Sequence, residues 1–575
     1  VAFAALAACG GGAERAPAFD AGIDGAYVVQ STQDYAGTVP LVQGRAGLLR
    51  VFLRSDRPDI PAPAVRARLY DAAGALIQTY EVTAQPPPAT LPTAVSEESL
   101  GGSWNFAIPA ADLQPGRHLV AELDPVAGIP AARTRATFRY PASGSLDVRE
   151  VPTLSITLVP VVQAPAGSPP LAPLVSGAEP GGGTRSVDSW LDLARRMHPL
   201  LTVEVLLAAT YTTDIALGPD GTGWASLLSE LEQKRLVDGS PGSYLGAVHV
   251  SYTEGTNGIA YVSPALPSSA LAWDAGATPG DPSYQRVVAH EVGHNLGLMH
   301  APCGSPMPAG LDPGWPTGPS YAGAHIGVFG LDPLDGTVKS PTSDFDVMSY
   351  CGTVASTWTS DHDYRRILGF LTGAPATAAA GPRILAASEP SAVRQPCLVV
   401  AGRVAEGGVD LRPAYVVDTI PSPSPPGEYA LDLLDGKGDR LASFPFAPTV
   451  VPAEREGEAE ESHFALALPV TARAIDGLRG LAVRRRGVEI FRRVVGGSSA
   501  ATEPGSPVGV AVSRGHAYLR WDALVHPGAM VRDARSGEVL AFLHGGTGMV
   551  RTDAPAIEVV LSDGVRSRRG LLVAP

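Results

Sequence analysis

The sequence predicts a multidomain protein: an α/β domain that carries the chemistry, flanked by all-β, sandwich-like domains. Three observations carry this. At 575 residues the chain is long enough for several hydrophobic cores. Before about residue 150 and after about residue 383, apolar and polar positions alternate between turn signals. Between those stretches, strand-like runs alternate with helical periodicity. The expected divisions are 1–25 as a leader remnant and tether, 26–150 as an N-terminal β-sandwich and 151–375 as the α/β domain. A β-rich accessory domain at 383–495 and a small C-terminal β module at 508–575 follow.

Within 26–150, residues 48–53 read as a strand, 65–82 as a hairpin around Asp71-Ala72-Ala73-Gly74, and 118–123 and 134–140 as further strands. His118 is expected to be a strand-surface or packed residue, not a ligand. In the α/β domain, 154–159 is strand-like, 186–198 an amphipathic helix and 203–208 a buried strand. Residues 224–236 form a second helix, and 247–252 and 258–262 further strands. A helix is expected over 361–371, a linker over 372–382, a solvated acidic loop over 454–461 and another linker over 496–507.

Composition excludes some functions. The net charge of −14 argues against general nucleic-acid binding. No internal apolar run is long enough to span a bilayer. Lys occurs only at 234, 339 and 437 while Arg, Ala, Gly and Pro abound, a composition associated with high-GC bacteria.

The chemistry is concentrated in residues 290–300, which read HExxHxxGxxH. Asp281 as N-cap and Pro282 as first helical residue would start a helix running to about Gly297. His290 and His294 are then one turn apart on one face, with Val288, Val292 and Leu296 on the opposite, buried face. Gly297 can take the left-handed conformation that turns the chain back, bringing His300 in as a third imidazole. Three neutral imidazoles suit one Zn2+ and leave a tetrahedral position for water, whose proton Glu291 can accept.

Downstream, Asp346-Val347-Met348-Ser349-Tyr350 puts a Met in a turn-like context. With the His motif, it resembles the metzincin metallopeptidases. That resemblance implies that His290, His294 and His300 are zinc ligands, Glu291 the general base, and Met348 the thioether packed beneath the imidazoles. It also implies that Tyr350 reaches the metal or the oxyanion. The strand at 258–263 matches, by position, the cleft-bordering strand that pairs with an extended substrate. Residues His325 to Gly330, Pro341-Thr342, 346–352 and Trp358 to Asp361 together resemble the StcE-like bacterial lipoprotein mucinases. The gametolysin-like group is a close competitor. The resemblance spans roughly 151–373 and implies a protein or glycoprotein substrate. His325 and His362 are read as surface or packing residues. Asp332, Asp335, Asp344 and Asp346 could take Ca2+, but their spacing fits no EF-hand loop, so a solvated loop is preferred.

Residues 1–8 are apolar and end Leu6-Ala7-Ala8-Cys9, followed by three glycines. This resembles a lipobox, which implies lipidation of Cys9, a membrane-surface anchor and an extracytoplasmic lipoprotein of the outer membrane or cell surface. In an exported chain the remaining cysteines can pair. Cys303 and Cys351 both lie close to the implied zinc site and are the expected bridge, leaving Cys397 free; other pairings stay open. The expected activity is that of a monomeric zinc endopeptidase. A surface adhesin or glycan-binding protein with an inactive protease-like domain, and a zinc amidase acting on cell-wall peptides, are the alternatives.

Overall fold

The computed structural model describes residues 19–82, 87–123, 133–165, 168–179, 183–274, 283–305, 307–373, 393–405, 408–452, 461–495, 508–513, 515–567 and 571–573. Cys9, the Asp281–Pro282 helix start, most of the 372–382 and 496–507 linkers and nearly all of the acidic 454–461 stretch lie outside them. The protein is multidomain and mostly β, with few helices. None of the described helices is long and apolar enough to cross a membrane. Contacts divide the chain into two compact units: Val1–Arg149 with Asp335–Val338, and Glu150–Leu334 with Lys339–Pro575.

The first unit holds two four-stranded sheets. One is ordered β5-β2-β1-β7, from β1 (Asp20–Val29), β2 (Gly47–Ser55), β5 (Trp104–Ile108) and β7 (Arg133–Arg135). The other is ordered β8-β6-β3-β4, from β3 (Val65–Tyr70), β4 (Leu76–Tyr80), β6 (His118–Leu123) and β8 (Thr137–Tyr140). The single strand expected at 134–140 is thus two. Ala136 separates them, and the chain passes from pairing with β1 to pairing with β6. His118 stacks on Tyr70, with ring centroids 5.5 Å apart.

The second unit is built on a ten-stranded sheet. Its centre is β9 (Leu154–Gln163), flanked in parallel by β12 (Ser243–Val248) on one side. On the other side lie β10 (Val203–Leu207) and then β11 (Tyr211–Thr213). Apolar residues run nearly the length of β9, as a strand covered on both faces requires. Pro160 lacks an N–H, which a central strand rarely tolerates. It falls where the neighbouring chain is interrupted between Leu207 and Tyr211, so no ladder bond is lost.

Two expected strands of this sheet need correcting. Residues 203–208 do not form a buried strand: among the described residues β10 pairs with β9 alone, and Leu206 and Leu207 are 59% and 53% exposed. The strand expected at 247–252 lies earlier, at 243–248. Beyond β12, parallel to it, comes β14 (Ser269–Trp273), and then β13 (Gly258–Ala260) antiparallel at the sheet edge. In sequence β14 lies between the expected cleft strand, β13, and the zinc-motif helix, but β13 is the sheet edge and packs directly on that helix.

Two helices cover opposite faces of this end of the sheet. α2 (Trp224–Asp238) packs its Leu227, Leu228 and Leu231 with Leu271 and Ile259. α3 (Ser283–Asn295) takes the other face, where Gly258 meets Val287 and Glu291. The helix expected at 186–198 is a 3-10 turn followed by the short α1 (Asp192–Met197).

After residue 393 the chain builds a two-sheet β structure. One sheet contains β15 (Gln395–Ala405), β16 (Gly408–Leu411), β17 (Tyr415–Thr419), β20 (Thr449–Val451) and β21 (Glu461–Pro469). The other is β18 (Tyr429–Leu434), β19 (Arg440–Phe446), β22 (Gly480–Arg485) and β23 (Val488–Val494). The C-terminal strands β24 (Gly528–Asp533), β25 (Val539–His544), β26 (Ile557–Ser562) and β27 (Leu571–Val573) then extend the central sheet. The junction is β25 beside β11, at Thr212 and Ala541.

Candidate metal centre

α3 carries His290 and His294 one turn apart, and Val288, Val292 and Leu296 are buried on its other face. The helix ends on Gly297, whose φ of +85° lets the chain reverse. A bond from Leu298 N–H to Gly293 O (3.0 Å) closes that turn. His300 is then fixed by its own backbone. Its N–H donates to Gly310 O (3.2 Å), and Asp312 N–H donates to its carbonyl (2.8 Å).

Each imidazole uses Nδ1 to donate to a backbone carbonyl: His290 to Val347 (2.8 Å), His294 to Leu298 (2.9 Å) and His300 to Ala309 (2.6 Å). Those bonds set the tautomer, so every Nε2 is left as a lone pair. The three rings offer ligand atoms within 4.8 Å of one another. His290 Nε2 is buried with no hydrogen-bond partner, and the Nε2 atoms of His294 and His300 are 3.1 Å apart. Two facing lone pairs at that distance cannot bond each other; a cation between them can bond both. Burial, and after it the neighbouring imidazoles, pushes His290 and His294 well below the usual 6.5. Burial brings His300 down to about 4. The rings are neutral at pH 7, as metal ligands must be. The donor set fits Zn2+: nitrogen ligands, three in number, with a position left open.

Glu291 is 2% exposed, and its carboxylate lies against Gly258 of β13. A methyl group at 258 would overlap that carboxylate. Met348 sits against α3 between the two helical histidines. A Cβ on Gly293 would come within 2.6 Å of its sulfur. The turn bearing Met348 is held by Asp346, whose carboxylate accepts from Met348 N–H and Ser360 N–H (2.8 Å each). Tyr350 places its hydroxyl 3.4 Å from His300 Nε2. The Cys303–Cys351 disulfide forms, with Cα atoms 5.7 Å apart, and joins the loop after the third His to the residue after Tyr350. Cys397 is a buried free thiol.

Three positions were not anticipated. Arg286, one turn before His290, donates to Thr357 Oγ1 (3.0 Å) and to the carbonyls of Ser349 (3.1 Å) and Cys351 (3.0 Å), clamping the Met turn onto α3. Its four-residue spacing from His290, one helical turn, was the available signal. Asn295 donates to the carbonyls of Tyr261 and Ser269 (3.1 Å each), tying the helix end to β14 and to the residue after β13. Gly258 carried no local signal at all.

A second group, Asp312, His362 and Asp363, brings its ligand atoms equally close. It already contains a cation, because Arg366 pairs with Asp312. Burial alone would raise Asp312, but His362 and Arg366 hold it down to about 2. Burial and then the Asp346 charge push Asp363 well above its usual range. His325 stacks on Phe345, with centroids 4.6 Å apart. The acids weighed for Ca2+ are used locally: Asp332 pairs with Arg196, Asp335 accepts from Thr337 N–H, Asp344 accepts from Ser340 N–H, and Asp346 holds the Met turn.

Residues 203–301 match the family described as metallo-peptidase family M12B, reprolysin-like. That stretch runs from β10 to the residue after His300 and indicates a metallopeptidase domain. No curated protein matches the chain. Among solved structures, E. coli alpha-2-macroglobulin aligns at 10% identity over 93% of this chain and 25% of that one, with a TM-score of 0.13. The present chain thus spans about a quarter of that protein's length. A beta-glycosidase from Bacteroides vulgatus aligns at 9% identity over 96% of this chain and 80% of its own, with a TM-score of 0.13. A calcium-binding mutant of Bacteroides uniformis beta-glucuronidase 2 aligns at 11% over 96% and 81%, with a TM-score of 0.14. At these scores neither fold nor function can be argued from the structural likeness.

Proposed function

We propose that the protein is a zinc-dependent endopeptidase of metzincin type that acts outside the cytoplasm on proteins or glycoproteins. The observation that carries this is the convergence of three neutral Nε2 lone pairs on one point, with the Glu291 carboxylate beside them on the same helix. The match over 203–301 supports metallopeptidase chemistry in general. His290, His294 and His300 would hold the ion. Zinc bound there would supply Lewis-acid polarisation of the scissile carbonyl and of a water. Glu291 accepts the proton of the attacking water and delivers it to the leaving amine. The Tyr350 hydroxyl, which reaches the His300 ring, donates to the carbonyl oxygen as negative charge builds there. Arg286, Asp346 and the disulfide keep the Met turn and Tyr350 in place.

The proposed location rests on the Leu6-Ala7-Ala8-Cys9 motif, with Cys9 as lipid anchor, and is supported by the disulfide, which an oxidising compartment preserves. Within the metzincins, the 325–330 and 346–352 segments favour the StcE-like group. Cleavage-site profiling of a protein mixture and of cell-wall peptides, with native protein and with Glu291→Gln, tests the reading. Cuts in proteins that vanish in the variant support it. Cuts confined to cell-wall peptides would make the enzyme an amidase, and no cuts by native protein would make it a binding protein.

A further inference from the structure

We propose that Asp312 is a positioning residue for His300, and that the helix α4 (Asp361–Thr372) sets the third ligand through it. The inference rests on the zinc reading of the triad. His290 and His294 stand on α3 and take their spacing from a helix. His300 lies beyond Gly297, outside every described helix and strand, so its position has to come from elsewhere. It comes from a strap of four residues, 309–312. Ala309 O accepts from His300 Nδ1 (2.6 Å), Gly310 O accepts from the His300 N–H (3.2 Å), and Asp312 N–H donates to the His300 carbonyl (2.8 Å). His300 and Leu311 thereby form a parallel β-bridge. The next residue, Ala301, is held from the other side, by its N–H to Met348 O (3.0 Å).

Within the strap only Asp312 is buried; Ala309 and Gly310 are half-buried and Leu311 is exposed. The Asp312 side chain turns onto α4. Its Oδ1 accepts from Gly314 N–H (2.9 Å), and its Oδ2 accepts from His362 Nε2 (2.8 Å) and from the Arg366 guanidinium. Residues 362 and 366 are four apart and share one face of α4. Tyr364, Ile367, Leu368 and Leu371 bury the opposite face and fix the helix. The cap of α4 meets the Met turn: Ser360 N–H donates to the Asp346 carboxylate, which also accepts from Met348 N–H (2.8 Å each). Val347 O, on that turn, is the acceptor that orients His290. One helix therefore fixes both the strap that holds His300 and the turn that orients His290. The bonds from a guanidinium to a carboxylate are charge-assisted and roughly twice as strong as neutral ones, so they tie the strap more firmly than its neutral hydrogen bonds do.

The test separates positioning from plain stability. Zinc affinity is measured by chelator competition on the full chain and on Asp312→Asn, and the stability of the metal-free proteins by urea unfolding. Asp432→Asn is the matched control. Asp432 pairs with Arg484 in the accessory sheets (2.7 Å), and the two side chains are 7% and 25% exposed, against 3% and 30% for Asp312 and Arg366. Loss of a group that orients a metal ligand weakens metal binding by about 10–100-fold. Asp312→Asn should raise the zinc Kd roughly tenfold or more, and Asp432→Asn less than about twofold, although both lower stability. Arg366→Gln should shift Kd in the same direction as Asp312→Asn, and Arg366→Lys, which keeps the cation, should shift it less. Arg366→Gln carries the test if Asp312→Asn does not fold. Native zinc affinity in the folded variant would reduce the pair to a structural one and overturn the proposal, and so would an equal loss of affinity in Asp432→Asn. Native protein that binds no zinc would fail the zinc reading itself, and this proposal with it.

Discussion

α2 and α3 lie on opposite faces of the same sheet, and they are buried for different reasons. α3 has one apolar face and one face of imidazoles, and its polar groups are turned to a site. α2 buries Glu230, Gln233, Lys234 and Arg235 as well as its leucines. No periodic apolar stripe explains that. The explanation is chain from far downstream: strands β15, β17, β21 and β25 all pack against α2. Lys234 is satisfied by Asp238 (2.7 Å), Glu538 (3.3 Å) and the carbonyl of Val539 (2.8 Å). Gln233 donates to Pro413 O (3.0 Å). The polar groups of α3 thus form the metal centre or, as Arg286 and Asn295 do, hold its surroundings in place, and those of α2 serve the attachment of the later β modules.

Several substitutions would sharpen or break this contrast. The largest effect is expected on α3. Glu291→Gln should lower kcat by roughly 10²–10⁴-fold while leaving the melting profile unchanged, because the carboxylate acts on a proton and not on the fold. Peptidase assay and calorimetry on the same sample check both halves. On α2, Lys234→Ala should cost about 3–5 kcal/mol, because it strands the nearly buried Asp238 carboxylate, yet leave zinc content intact. Urea unfolding with metal analysis tests this; a loss of zinc without a loss of stability would merge the two roles. Gly293→Ala should cost about 1–3 kcal/mol by forcing the Met348 sulfur away from the helix, and should disturb the metal site as well.

The pH response separates the faces further. The folded imidazoles titrate below the ordinary 6.5, His300 at about 4 and the other two well below 6.5. A folded pKa below the unfolded one means the contribution is intact above 6.5 and is lost as pH falls toward 4. Zinc should therefore persist through dialysis at pH 5.5 and be released near pH 4; release beginning at 6.5 would show the rings to be solvated. The smallest effect is expected at Asp363→Asn. Burial and the Asp346 charge already disfavour its charged form, and a raised folded pKa penalises the fold as pH rises above 3.8. The amide should change stability at pH 7 by no more than about 0.5 kcal/mol, or increase it, which chemical denaturation measures.

The same contrast explains what could be read from the chain. The triad, Glu291, Met348 and Tyr350 come from short segments whose spacing encodes their geometry, so one helical period and one glycine turn suffice. The Cys303–Cys351 bridge was legible because both cysteines flank those segments. Gly258 was not, because the need for a missing Cβ arises from a carboxylate more than thirty residues later. The exposed β10 was misread because Val203–Leu207 has the composition of a covered strand, and only the partner on one side is present. The union of β11 with β25 was beyond any local signal, since over three hundred residues separate Thr212 from Ala541.

The central claim is that His290, His294 and His300 form one zinc site. Metal analysis and X-ray absorption of the purified full chain and of His294→Ala test it most directly. The account predicts one zinc per native chain, with nitrogen ligands at about 2.0–2.1 Å, and a marked loss of zinc from the variant. Native protein without zinc, or a variant that retains the full complement, would contradict it.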